Sequence, residues 1–543
     1  MRRYLFGLAV FLLGTILAGC GGRKIKTFTC FVATSGQELP ENNRVMNAIA
    51  EKIGAKAEIS YLSGQTDKEY ISAMIQKGEY PDFIDGMNAT SLLLEAGAYI
   101  PLDGYLEKYP DLKNLLTDEE WNRMRQSDGH IYFIPQFYTV NGKVTICYPP
   151  DEAFWIQKRV LKWAGYPTIR TLDEYFDLIE RYLKEHPLDE NGEKNTGFEI
   201  LCEDWRYFCL ENVPQFLAGY PNDGCAIVDP ETNEVSVYDT IPQARQYYEK
   251  LNREFHLGVI ERETFTQSYQ QYLEKLSQGN VLGMVDQRWQ FQEAEWVLNR
   301  EGKDDRTYVP LSITADASIQ GAYTSKAALN TSNGLGISVS CEDVEGALQF
   351  LNDLLKPEIM TLRYWGEEGI DYETGKDGVF YRTDDQWKHA GDSAWLVNNM
   401  CQYSYFPHYL GMLEDGINTV DPAEQPREFY RILNETDREV LDAYGFRNWM
   451  DFLNEPAEEN APWFPLYSAT NNWTADTAYG KAKEEMDEVK HEWLPKVIMS
   501  APEEFDAVWE QYMDVYHTQV DIAAYEEELE REVARRIAAA KGK

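Results

Sequence analysis

The chain has 543 residues, too many for one hydrophobic core, so two or more lobes are expected. A hydrophobic fraction of 43% argues against disorder, and a formal net charge of −40 disfavours nucleic acid and anionic lipid headgroups as partners. Acidic ligands are disfavoured too, unless cations gather around a site.

Residues 1–19 read as a signal peptide. Arg2 and Arg3 form a basic start, Tyr4 to Ile16 is an apolar run, and Leu17-Ala18-Gly19-Cys20 closes it. The run is shorter than the roughly 20 residues a spanning helix needs, and no later stretch approaches that length. The ending resembles a bacterial lipobox. That likeness implies cleavage before Cys20, a lipid on its thiol, a tether over 20–25 and an extracytoplasmic body held at the cell membrane.

Beyond the tether, Lys26 to Ala33 reads as a strand, 42–53 as a helix, Ala57 to Leu62 as a second strand and Asp67 to Lys77 as a second helix. Gly78-Glu79-Tyr80-Pro81-Asp82-Phe83-Ile84-Asp85 then places a Pro turn before a short buried strand. Strands alternating with helices of this length imply parallel pairing and an α/β lobe. Further along come Gly129-His130-Ile131-Tyr132-Phe133-Ile134-Pro135, the charged run from Trp155 through Gly165-Tyr166-Pro167, and Thr171-Leu172-Asp173-Glu174. Gly283-Met284-Val285-Asp286-Gln287-Arg288-Trp289, a buried strand over 334–339 and Tyr364-Trp365-Gly366-Glu367-Glu368-Gly369-Ile370-Asp371-Tyr372 follow. Residues 503–539 read as one amphipathic helix, with Phe505, Val508, Trp509, Tyr512 and Met513 on its packed face and a solvated end.

In this order the motifs resemble the family 1 extracellular solute-binding proteins of bacterial ABC importers, in the long lipoprotein branch usually assigned to carbohydrates. The resemblance covers nearly the whole chain. It implies an α/β, two-lobed periplasmic-binding-protein-like fold (type II) with ligand in the cleft. Lobe one is then expected over 26–147 plus 309–365, and lobe two over 148–308 plus 366–543. It also implies a carbohydrate ligand, ABC permease subunits as partners and a monomeric chain. A glycan-active hydrolase, or a sensing or adhesive lipoprotein without a permease, stands as the alternative.

Chemistry-bearing motifs are sparse. There is no HExxH, no GxSxG and no P-loop, so no catalytic residue is assigned, although 91 acidic residues leave a glycosidase-like carboxylate pair open. Seven cysteines after Cys20 lack CxxC spacing and read as buried free thiols, with Cys202–Cys209 a candidate pair. Relatives carry a calcium-type loop where this chain has Asp189, Asn191 and Asn195. Here Lys194 intrudes and the closing bidentate Glu is missing, so a plain turn is expected, with no cofactor or metal.

Fourteen Trp and 35 Tyr are many for this length. Rings beside hydrogen-bonding groups suit sugars, although most of these belong to the core. Ligand-binding candidates at loops and strand ends are Asn88, Tyr138, Trp205, Arg206, Tyr220, Asn222, Asp286, Trp289, Trp365 and Glu368. Trp463, Trp473, Asn471 and Asn472 form a later, secondary group. Trp289 reads equally as a packing ring, Arg206 as half of an ion pair and Glu368 as a turn cap.

Overall fold

The computed structural model describes residues 25–36, 39–40, 42–136, 139–149, 152–325, 329–454, 461–471 and 473–540. The leader, Cys20, Tyr138 and Asn472 lie outside these residues. Nine strands build two main sheets: β1 (Lys26–Ser35), β2 (Ala55–Leu62), β3 (Phe83–Asp85), β4 (Phe133–Ile134), β5 (Glu152–Gln157), β6 (Thr196–Glu199), β7 (Val281–Gln287), β8 (Tyr308–Leu311) and β9 (Leu335–Ile337).

The first sheet runs β2-β1-β3-β9-β4, with β1 parallel to β2 and β3, and β9 antiparallel to β3 and β4. Its strands are covered on both faces. Phe28, Cys30 and Val32 enter one core while Phe31 and Ala33 enter another, as period-two alternation between two helix layers requires. The flanking helices start and stop on local signals. Asn43 caps Arg44–Ile53 and Gly54 ends it in the left-handed region, while a Thr66/Glu69 capping box opens Asp67–Lys77.

The second sheet runs β8-β5-β7-β6. Strand β7 is parallel to β6 and antiparallel to β5, which is antiparallel to β8. Gly283 keeps β7 close to its neighbours. The Tyr175 hydroxyl crosses this position to donate to Trp155 O at 2.7 Å, and a Cβ on Gly283 would lie 2.1 Å from it.

Connectivity fixes how the sheets face each other. The chain leaves β4 at Ile134 and enters β5 at Glu152, then leaves β8 at Leu311 and enters β9 at Leu335. Because β5 and β9 run antiparallel to their neighbours, each crossing joins the carboxyl edge of one sheet to the carboxyl edge of the other. Those two edges therefore face a common space, where α/β sheets hold ligands.

The expected lobe boundaries shift. Strand β8, assigned to lobe one, pairs with β5 in the second sheet, and Tyr323 still belongs to the core of that sheet while Leu329 belongs to the first. Residues 366–420, assigned to lobe two, instead complete lobe one: Tyr372, Tyr403, Phe406 and Val420 pack in its core. Polar anchors hold them there. Arg363 donates to the carbonyls of Tyr403 and Pro407 at 2.9 and 2.7 Å, and Asn43 donates to Met400 O at 2.6 Å. A third crossing follows, since Phe429 lies in the core of lobe two.

The expected terminal helix is two helices, Phe505–Gln519 and Ile522–Ala540, broken at Val520. The second is no solvated end. Tyr525, Leu529 and Val533 are buried, and Arg536 donates to Trp463 O and Ser468 Oγ, each at 2.9 Å. All seven cysteines among the described residues are free thiols, Cys202 and Cys209 included.

Candidate functional site

The second lobe presents aromatic surface at its carboxyl edge. Strand β7 ends at Gln287 and the helix Arg288–Arg300 begins at once, which puts Trp289 on the first turn with its indole N–H donating to Gln287 Oε1. After β6 the chain passes through Asp204 in the left-handed region (φ 51°) into a single 3-10 turn that carries Trp205. Asp tolerates that conformation better than most residues, and such strain tends to collect at binding sites. Trp205 and Trp289 are 57% and 47% exposed, and their rings are near parallel, 13° apart with centroids separated by 5.9 Å. Two large rings left in water at the carboxyl edge form an apolar surface of the kind that suits the C–H face of a flat ligand.

Arg206 lies beside this pair. Its guanidinium carbon is 4.6 Å from the Trp205 ring centroid and 4.2 Å from that of Tyr269. The ion pair that sequence favoured does not form, since the ion pairs among the described residues include none to Arg206, and its buried Nε has no hydrogen-bond partner. Tyr269 went unnoticed in the sequence because its only mark is the capping box that opens its helix, Ser268 with Gln271.

Asp286 is a brace rather than a ligand contact. It is fully buried and accepts from Tyr272 OH at 2.7 Å, from Gln290 Nε2 and the Gln287 N–H at 2.6 Å, and from Cys209 Sγ at 3.5 Å. Burial pushes its pKa up to about 6 against these bonds. Its partners tie three helical segments to the end of β7, directly behind the tryptophan pair.

Tyr220 and Asn222 are half-buried on the turn after the helix Val213–Leu217. Gly219, at φ 81°, lets this turn abut the β8–β9 crossing, where a Cβ would come within 2.7 Å of Gln320 O. Asn222 Oδ1 already accepts from Gln215 at 3.3 Å.

The first lobe offers polar atoms instead. Asp85 ends β3 fully buried, accepts the Met87 N–H at 2.8 Å, and has its pKa pushed up to about 6 by burial. Gln136, two residues past β4 on the same edge, is 3% exposed. Gln136 is the side-chain partner of the Asp85 carboxyl and, with the Met87 N–H, opposes the effect of burial on it. Asn88 follows β3 and is exposed on a 3-10 turn. The strand-end reasoning that selected Asn88 applied equally to Asp85, which the acidic background of the sequence concealed.

Trp365 is not at the site. It is fully buried, donates to Thr419 O at 2.9 Å and packs edge-on against Tyr372 and Phe380. Glu368 is exposed on the turn that follows, which Arg44 holds through Glu367 and, at 2.7 Å, Asp371. Of the secondary group, Trp463 is buried, and Trp473 packs against Tyr479 and Tyr525.

The Asp189 loop is filled by guanidinium groups. Arg306, 2% exposed, donates to Asp189 Oδ2 at 3.2 Å and Asn280 Oδ1 at 2.8 Å, and pairs with Glu190. Asp189 Oδ1 accepts the N–H groups of Asn191 and Glu193, each at 2.9 Å, and Asn195 Oδ1 accepts from Arg159 at 2.9 Å. Oxygens engaged in this way do not fit a hard cation, which needs six or more free ligands.

Residues 45–387 match the sequence profile of the bacterial extracellular solute-binding protein family. The chain is 26% identical over 255 residues to the fructooligosaccharide ABC transporter substrate-binding protein FusA of Streptococcus pneumoniae, covering 44% of this chain and 45% of that protein. That alignment thus spans less than half of the relative. The chain is 22% identical over 418 residues to the polygalacturonan/rhamnogalacturonan-binding protein YtcQ of Bacillus subtilis, covering 71% of this chain and 77% of that one. Its fold is that of FusA from S. pneumoniae, solved as an EF-hand mutant with fructo-nystose: TM-score 0.66 at 16% identity, over 94% of this chain and 100% of that one.

Proposed function

This chain belongs to the bacterial extracellular solute-binding protein family, whose members bind rather than transform their solute, and we propose that its solute is a carbohydrate, an oligosaccharide held between the two carboxyl edges. The exposed Trp205–Trp289 pair carries this reading. Stacked indoles on one lobe would take the apolar faces of successive sugar rings, while Asn88 on the other would bond their hydroxyls. Both relatives named above are described as binding carbohydrate. A ligand that touches both lobes favours the closed arrangement by its differential affinity.

The closed pair of lobes would be what an ABC permease recognises, and a lipid on Cys20 would keep the protein beside it. The basic start, apolar run and cysteine of the leader support that anchor. Loss of labelled fatty acid incorporation in Cys20→Ala is expected, and unchanged labelling would refute the anchor. For the ligand, thermal melts against glycans, peptides and cations are the direct test. A glycan at 100 times its dissociation constant should add about 2.7 kcal/mol. If peptides or cations raise the melt and no glycan does, the carbohydrate reading falls.

A further inference from the structure

Resting on the carbohydrate reading, we propose that Arg206 reads a carboxylate on the ligand, so that the bound oligosaccharide contains uronic acid. The argument starts from charge. In a chain with 51 basic and 91 acidic residues, buried or half-buried Arg44, Lys158, Lys275, Arg306 and Lys490 are paired with acids, while Arg363 and Arg159, which are not, donate to carbonyl and amide oxygens instead. Among the described residues the Arg206 guanidinium has neither kind of partner, although Glu203 and Asp204 are its near neighbours in sequence. Glu203 instead accepts the Tyr269 N–H at 2.7 Å, which leaves its carboxylate engaged away from the guanidinium.

The surroundings of the guanidinium decide what can pair with it. Trp205 and Tyr269 lie close to it, at 4.6 and 4.2 Å. The in-plane N–H edge remains, and it matches the two oxygens of a carboxylate. The Nε–H is buried without an acceptor, a costly state that an incoming acceptor relieves. A neutral hydroxyl would satisfy one N–H but leave the charge uncompensated among aromatic rings. A uronate supplies both the C–H face that stacks on the indole pair and the anion beside it. The net charge of −40 opposes an anion at long range, but at physiological salt charges beyond about 8 Å are largely screened.

Titration calorimetry on the protein tests this with tetramers of galacturonate, mannuronate and guluronate, their methyl esters, and neutral fructo- and xylo-oligosaccharides. The expected result is binding of at least one uronate tetramer, with its ester at least tenfold weaker. In Arg206→Gln that difference should vanish, with acid and ester binding equally, while Arg206→Lys recovers part of it. Circular dichroism and melting of each variant show whether the fold is intact. Equal affinity of wild type for acid and ester, unchanged discrimination in Arg206→Gln, or binding of neutral glycans alone would overturn the role of Arg206 and leave the carbohydrate reading standing. Failure of every glycan to bind would remove both.

Discussion

The two carboxyl edges meet the same space with opposite chemistry. The second lobe exposes Trp205 and Trp289 and keeps its carboxylate, Asp286, behind them with every near donor engaged. The first lobe buries its tryptophan, Trp365, and carries at its edge the buried polar pair Asp85 and Gln136 and the exposed Asn88. On the proposed reading one side stacks and the other bonds. A ligand with alternating apolar faces and hydroxyl edges would satisfy both at once.

That contrast can be broken at several points. Trp365→Ala should cost about 3–5 kcal/mol of stability, as emptying a fully buried aromatic site does. Denaturant melts would show it, and a loss below 1 kcal/mol would mean the ring is not a core element. Far from the cleft, Arg306→Met leaves the buried Asp189 carboxylate without its counter-charge, at a cost of about 3–5 kcal/mol. Because that guanidinium already fills the loop, EDTA and added calcium should leave the wild-type melting temperature unchanged.

Asp286 sharpens the comparison through pH. Its folded pKa, about 6, lies above its ordinary 3.8, so the native state holds the proton more tightly. The stabilisation is complete below pH 3.8 and is lost as pH rises through 6, up to about 3 kcal/mol over the window. Asp286→Asn should remove that slope relative to wild type, and identical pH profiles of melting would contradict the assignment. The smallest expected effect on stability is at the exposed ring. Trp289→Ala should weaken oligosaccharide binding at least tenfold, about 1.4 kcal/mol, with melting nearly unchanged. Equal affinity in calorimetry would move the site elsewhere.

Much of the framework was legible in the chain. The first two strands, their helices, the strand at Phe83 and the strand ending before Trp289 announce themselves through short-range signals: alternation, capping residues, glycine stops. Trp205 and Trp289 stood out because each follows a strand end in polar sequence, although nothing in their neighbourhoods said that they would lie side by side. Trp365 looked the same locally and proved to be core. What separates it from Trp289 is the segment 366–420, which folds back over lobe one through Arg363 and Asn43. Neither anchor has a periodic sequence signature.

Length and the alternation of strands with helices determined by themselves an α/β protein of more than one lobe, because those features depend on local spacing and on bulk hydrophobicity, and the ordered motifs carried the resemblance to a solute-binding family. Only the tertiary structure decided which carboxylates are engaged and which rings stay in water. It also decided that Arg306 packs into the Asp189 turn, and that Arg206 stands without an acid among the described residues. Each of those depends on residues far apart in sequence, such as Arg306 with Asp189, Asp286 with Cys209 and Arg206 with Tyr269. Pairings at that separation are set by how the sheets and helices pack, and no pattern along the chain encodes them directly.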